Sequence, residues 1–513
     1  MADPTISRVE LLADASAEMR RSIVSGMRWT FWLSALTVPF SFATSIILAR
    51  VSPEVIGTYG LLQIYIAAVA VFLFLGGNAV LIKFIPELTT ENRVSFFASY
   101  FVVNCITLIP WLIAATLWPA GLRYIFGKGN TGPFWILLLY LSPIYILYSS
   151  SLAALKGMLQ LKWAQGFDRI VTIGSFAVYV FLFFAARQIL EEHYTGIIWG
   201  AYLSLVLLVG YVAIRRFLRL NPGFTWSGTR FFLPQGFWRY TLSLQSASIL
   251  NFFSGRLDYL LLLYFGGLAV LGKYVALMSL LLPVLKVVSF FLDSLLPSLT
   301  NTLSQNDLRS SEELAEISVR IVVPSSIFVA GLLVFFAHPI VLLLGSKYWG
   351  LERSLWIAVP FGVIGGVGWI TGNILSAIGK PECDAISKSV RIALFLLCFF
   401  PLWHLFQLAG VVLSWGIGEL GYHVLNLWFV GRNAPFRYHY MKTYLPALIV
   451  LVGLPVLGFH LGSASAYLLF GIFLGLLFLF LLFARYSVRE IRMLLHFVVP
   501  DPTSIFLLRS RKT

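Results

Sequence analysis

The chain has 513 residues, of which 59% are apolar and only 12% charged, and it carries a formal net charge of +15. Soluble domains hold about 25% charged residues, so this chain lacks the charge to wet a globular surface. A mean hydropathy of +0.87 points to a polytopic membrane protein built from apolar stretches of about 20 residues. Disorder, a coiled coil and a secreted disulfide scaffold are excluded. The basic excess reads as surplus Lys and Arg in cytoplasmic loops rather than as a nucleic-acid surface.

Residues 1–28 are polar and carry Asp3, Arg8, Glu10, Asp14, Glu18, Arg20 and Arg21, which does not fit a cleavable signal peptide. Ile6, Val9, Leu12, Met19 and Ile23 recur near helical spacing, as in a short helix lying on the inner membrane surface. Fourteen spans are predicted: 29–49, 58–80, 95–118, 133–155, 167–187, 195–215, 241–265, 271–296, 319–341, 354–378, 385–404, 409–431, 443–461 and 464–484. Of the 37 Lys and Arg, 28 count to the termini and inner loops and 7 to the outer loops, with Arg256 and Lys286 inside spans. That bias puts both termini in the cytoplasm of a plasma (inner) membrane protein. Cys105, Cys383 and Cys398 are odd in number and form no CxxC, so neither a disulfide framework nor a metal site is expected.

The sequence also resembles itself. Val55-Ile56-Gly57-Thr58-Tyr59 returns as Val270-Leu271-Gly272-Lys273-Tyr274, an offset of 215 residues. Ile85-Pro86-Glu87-Leu88-Thr89 returns as Leu296-Pro297-Ser298-Leu299-Thr300, and weaker matches flank spans 4 and 10. The offset equals six spans, an even number, so the repeats are parallel. The predicted fold is an all-α polytopic membrane protein of about 14 helices. Its N-lobe is 29–220, its inter-lobe link 221–240 and its C-lobe 241–435, arranged around a central cavity. Residues 436–485 add helices 13 and 14, and 486–513 form a basic tail.

The stretch Ile47-Leu48-Ala49-Arg50-Val51-Ser52-Pro53-Glu54-Val55-Ile56-Gly57-Thr58-Tyr59-Gly60 resembles the first-loop signature of Wzx-type polysaccharide flippases. These belong to the multidrug/oligosaccharidyl-lipid/polysaccharide exporter superfamily. Arg256-Leu257-Asp258 and Gly272-Lys273-Tyr274 are similar to the family's pattern in spans 7 and 8. The resemblance implies transfer of a polyprenyl-pyrophosphate-linked oligosaccharide from the cytoplasmic to the outer leaflet. It implies membrane lipids as surroundings and polysaccharide polymerase machinery as a partner, with no nucleic acid. It also implies no cofactor, with a proton or sodium ion as the coupling ion.

Charges inside spans mark a pathway or a buried partner. Arg256 and Asp258 lie two residues apart in span 7 and so point to different sides of the helix. Either Arg256 faces the cavity as a phosphate or glycan ligand while Asp258 holds a neighbouring helix, or both form a buried structural pair. Lys286 and Asp293 share a face of span 8, and the Lys286 ammonium suits a pyrophosphate as a point charge. Glu419 and His423 are four apart in span 12 and meet on one face, as a coupling-proton site or an interhelix hydrogen bond. Arg28, Arg50 and Lys83 stand at span ends, as snorkelling anchors or as the lining of a cavity mouth.

No Walker A sequence and no HExxH spacing occurs, so no ATPase or zinc-protease chemistry is expected. A multidrug or organic-cation antiporter of the same superfamily is the competing transport reading. A membrane glycosyltransferase or polymerase would need room for chemistry on its outer loops, which are short, so the chain is not read as an enzyme.

Overall fold

A backbone crossing lipid must satisfy every N–H and C=O within the protein, and apolar stretches near 20 residues do so as helices. In the computed structural model the described residues are 36–117, 134–158, 160–221, 230–304 and 307–436, with scattered positions between 447 and 477. Among them there is helix and no strand. Helix α1 is Leu36–Val51. Ser52 then caps α2, Pro53–Ala68, its hydroxyl accepting from the Val55 N–H at 3.2 Å, with Pro53 in the first turn, both standard helix-start devices. A π turn, Val69–Leu73, extends it. There follow α3 Gly77–Glu87, α4 Thr90–Leu117, α5 Phe134–Gly157, α6 Leu161–Ala185, α7 Arg187–Arg219 and α8 Phe237–Ser304. After these come α9 Leu308–Phe335, α10 Ala337–Leu344, α11 Leu351–Ala377, α12 Pro381–Phe406 and α13 Leu408–Asn433.

Within the described residues the predicted spans from 29–49 to 409–431 fall on helix. The last two, 443–461 and 464–484, lie outside the described residues except at scattered helical positions, as do segments 1–28 and 486–513. Two details differ from the hydropathy reading. Span 2 is not one helix: it breaks at Gly76 and Gly77, whose φ values are 67° and 60°, a left-handed backbone that glycine adopts without strain. Apolar Phe74 and Leu75 hide this break from a hydropathy window. Second, the turn between spans 7 and 8 shrinks to one break in α8 at Gly267, φ 76° and ψ −175°. The charge tally also needs correcting. Lys388 and Arg391 lie two to three turns inside α12, and Arg169, Lys273 and Arg320 lie inside α6, α8 and α9, although the tally counts all five to loops.

The chain divides into two compact units, Met1–Ala276 and Leu277–Thr513. In the first, α5 packs against α7, α3, α4 and α6. In the second, α13 packs along both α11 and α12, and α9 lies against α11.

The repeat is written into a contact within the first unit. A methyl group on Gly57 would collide with the Leu268 carbonyl oxygen, and one on Gly272 with the Pro53 carbonyl oxygen. The 215-residue offset carries Pro53 to Leu268 and Gly57 to Gly272, so this is one contact made twice. Gly60 faces Val275, its own counterpart at that offset. Such reciprocity is what two copies related by a twofold axis produce. The two copies of the sequence motif meet through their glycines.

Candidate functional site

The second unit concentrates ionisable groups where α12 and α13 face α11. Glu419, Tyr422, His423 and Asn426 recur at helical spacing along α13, and Asp384, Lys388 and Arg391 do so along α12, which puts each set on one face. Arg391 Nη2 lies 2.5 Å from Glu419 Oε1, in an ion pair whose side chains are 13% and 2% exposed. Lys388 Nζ lies 2.6 Å from Asp384 Oδ2. The other oxygen, Asp384 Oδ1, accepts from the Tyr422 hydroxyl at 2.8 Å and from Asn426 Nδ2 at 3.5 Å. Asn426 Nδ2 also reaches the Gly368 carbonyl.

Glycines on α11 make room for this cluster. A Cβ on Gly365 would come within 2.8 Å of the Glu419 carboxylate, and one on Gly368 within 3.1 Å of the Tyr422 ring. At Gly372 it would fall 2.6 Å from the Tyr422 hydroxyl and 2.7 Å from Asp384 Oδ1. Small residues at membrane interfaces let helices approach and let polar groups bond across them. Both carboxylates are therefore matched by cations belonging to the chain.

The first unit builds polarity differently. At the span 2 break the backbone groups freed from helical pairing are met by side chains. Asn104 accepts from the Leu75 N–H at 2.8 Å. Tyr100 donates to the Leu75 and Gly77 carbonyls at 2.6 and 2.8 Å, and Thr107 to the Leu73 carbonyl at 2.8 Å. These three residues line one face of α4. From α8, Gln245 accepts from the Gly76 N–H at 2.9 Å and donates to the Val71 carbonyl. Irregular backbone at membrane depth is tolerated where protein groups satisfy it in this way.

Two cations singled out from the sequence rest on aromatic rings in this unit, whereas Arg169 and Arg187 pair with Asp168 and Glu191. Arg256 sits 5.3 Å from the Tyr259 ring centre. Lys83 sits 3.9 Å from the Tyr240 ring centre and 5.2 Å from that of Phe84. Among the described residues no carboxylate is within ion-pair distance of either. Asp258 is buried and accepts from the Tyr274 hydroxyl at 2.5 Å, tying the two segments of α8 across Gly267. Arg256 thus stays half-buried on a ring while Asp258 bonds elsewhere, so the two are not a mutual pair.

Of the other residues singled out from the sequence, Arg50 is exposed at the end of α1, and Lys286 is half-buried on α8 in the second unit. Glu419 and His423 are both buried on α13. Arg28 and the side chain of Asp293 lie outside the described residues. Sequence reasoning missed Arg391, Lys388 and Asp384, whose signal was the i, i+4, i+7 spacing of opposite charges at the edge of an apolar run. It also missed Gln245, Tyr100 and Asn104, which carry no charge to flag them.

No family model matches the chain. An uncharacterized membrane protein of Methanocaldococcus jannaschii is 21% identical over 468 residues, covering 85% of this chain and 88% of that protein. Among solved structures, the lipid II flippase MurJ in an inward closed conformation superposes with a TM-score of 0.66 at 15% identity, over 89% of this chain and 98% of MurJ. An inward-facing multidrug resistance transporter of the MATE family gives 0.62 at 15% identity, over 78% and 94%. Both structural neighbours are transporters of the superfamily that the sequence resembles. At this identity the likeness is one of fold.

Proposed function

We propose that this chain is a secondary transporter that flips a polyprenyl-pyrophosphate-linked oligosaccharide from the cytoplasmic to the outer leaflet of the inner membrane, by alternating access, for polysaccharide biosynthesis. The observation that carries the reading is an asymmetry of charge pairing. The carboxylates Asp384 and Glu419 are each bonded to a cation of the chain, whereas Arg256 and Lys83 rest on aromatic rings. Arg256 lies against the Tyr259 ring and bonds its hydroxyl, which engages one of the five guanidinium donors and leaves the others for a phosphate. An anionic headgroup finds donors in such a protein, while an organic cation meets Asp384 and Glu419 already neutralised and Asp258 already bonded to the Tyr274 hydroxyl. The fold likeness to a lipid flippase supports the same reading, as does the first-loop motif.

Coupling to a proton or sodium gradient belongs to this proposal. Glu419 and His423 are its site, with Arg391 as the partner that releases or recaptures the carboxylate. A gradient biases the return step only by differential affinity for the two states. A multidrug antiporter is the second reading, favoured by the likeness to MATE-family structures.

The test is flipping of a lipid-linked oligosaccharide in proteoliposomes. Arg256→Gln combined with Lys83→Gln is expected to lower the rate at least about tenfold, one factor of ten being about 1.4 kcal/mol, with insertion unchanged. Wild-type rates in the double variant would contradict the anion-site reading. Rates independent of any proton or sodium gradient would reject coupling, and gradient dependence that survives Glu419→Gln would reject only that residue.

A further inference from the structure

A second basic cluster lies away from the groups used above, where α5 ends and α6 begins beside the last turns of α7. Asn221, just past α7, reaches the Met158 sulfur at 3.6 Å. The Arg216 guanidinium stacks on Trp163 with 4.7 Å to the ring centre, and Arg215 lies over Tyr211 at 5.6 Å. Arg215 and Arg219 on α7 and Lys162 on α6 are exposed around this stack. Among the described residues no carboxylate pairs with Arg215, Arg216 or Arg219. Asp168, the acid of α6, is engaged by Arg169 at 3.5 Å and by the Tyr148 hydroxyl at 3.1 Å. The Arg216 Nε is buried and has no hydrogen-bond partner among the described residues.

The cations also continue an apolar stripe. Leu208, Tyr211, Val212, Arg215 and Arg219 follow one another at helical spacing on α7, and the first three are exposed hydrophobics. On α6, which packs against α7, the exposed Trp163 and Ile170 stand two turns apart on one face. An outward apolar strip ending in guanidinium groups and an indole matches the profile of a phospholipid, with acyl chains along the strip and a charged headgroup at its end. Trp at that level fits the interfacial preference of amphipathic rings, and basic pockets between spans take anionic headgroups.

We infer that the α6–α7 face binds the headgroup of an anionic phospholipid through Arg216, Arg219 and Lys162, with Trp163 holding the Arg216 plane so that its in-plane donors meet the phosphodiester. The inference concerns the lipid surroundings and is independent of the transported cargo. A soluble phosphate could use the same donors, but the apolar strip that runs up to them keeps bilayer lipid beside the cluster, so an anionic lipid headgroup reaches it from the adjoining leaflet, which is why the lipid is favoured.

The experiment is native mass spectrometry of the full chain in detergent, titrated with phosphatidylglycerol and with phosphatidylcholine of matched acyl chains. Phosphatidylglycerol is expected to bind about tenfold more tightly, a modest figure for three cations near a membrane surface. The triple variant Lys162→Gln, Arg216→Gln, Arg219→Gln should abolish the preference. A charge-matched triple elsewhere, Lys347→Gln, Arg353→Gln, Lys380→Gln, should keep it. Arg216→Lys retains the charge without the planar stack and should lower the preference severalfold, which keeps the inference decidable if the triple variant does not fold. Equal binding of the two lipids, or a preference that survives the triple variant, would overturn it. So would displacement of phosphatidylglycerol by an equal concentration of inorganic pyrophosphate, which would assign the cluster to a soluble phosphate.

Discussion

The polar groups singled out in the two units are satisfied in different ways. In the second, charge is matched with charge: Arg391 with Glu419, Lys388 with Asp384, packed against a glycine face of α11. In the first, hydroxyl and amide side chains serve an interrupted backbone, and the cations Arg256 and Lys83 lie on aromatic rings. Paired charges in low dielectric are costly to separate, since removal of one partner leaves the other uncompensated. Side chains that bond to backbone hold a conformation without fixing any charge. The charge pairs of the second unit suit a responsive, electrically balanced centre; the side chains of the first keep a non-helical turn in place and leave cationic donors open to a ligand.

The largest effect is expected where that contrast is sharpest. Arg391→Leu leaves Glu419 buried without its cation and should destabilise the protein by about 3–5 kcal/mol. Thermal unfolding in detergent would show the loss, and the double variant Arg391→Leu, Glu419→Leu should recover most of it. A single variant as stable as wild type would mean that the pair is not the buried unit described here.

Gln245→Leu comes next, because it orphans the Gly76 N–H and the Val71 carbonyl, each worth about 1–3 kcal/mol when left unsatisfied. Hydrogen exchange should accelerate across residues 71–77 before it does so in the rest of α2 or α3. Gln245→Glu restores the acceptor alone and should fall between the two. Uniform acceleration over the whole first unit would argue that Gln245 packs the fold generally instead of fastening the break.

Gly272→Ala tests the repeat contact and should cost about 1–3 kcal/mol as an overpacking change. Gly57→Ala should also destabilise but by less, because its Cβ would stand farther from the Leu268 carbonyl oxygen than one on Gly272 from the Pro53 carbonyl oxygen. A Gly57→Ala protein as stable as wild type would break the reciprocal-contact argument.

These expectations separate what the sequence displays from what it hides. The spans were legible because each needs a run of apolar residues about the length of the hydrocarbon core, and the repeat because Gly57 and Gly272 sit in matching words. The break in span 2 was not legible, since two glycines among Phe74, Leu75 and Val80 barely alter hydropathy. Glu419 and His423 stood out as charges deep in an apolar run. Arg391 and Lys388 did not, because a positive charge near a span end reads first as an inner-loop residue, and only the folded α12 puts them beside α13. Neutral Gln245 gave no signal until the backbone groups it serves were in view.

The smallest effect concerns Asp307, an exposed cap of α9. Hydrogen bonds from the Ser310 side chain and N–H hold its carboxyl below the usual carboxylate range. A carboxyl lowered in the folded state contributes at neutral pH and loses that contribution as pH falls through its lowered value. The unfolding midpoint of Asp307→Ala should therefore lie slightly below wild type at neutral pH and meet it in acid. A gap that widens in acid would contradict the assignment.

The most direct test of the transport reading is a cargo comparison in one set of proteoliposomes, supplied with a polyprenyl-pyrophosphate-linked oligosaccharide in the membrane and a lipophilic organic cation in solution. The expected result is flipping of the lipid-linked saccharide, lost in Arg256→Gln combined with Lys83→Gln and unaffected by the organic cation. Gradient-driven movement of the organic cation with no flipping of the saccharide would contradict it.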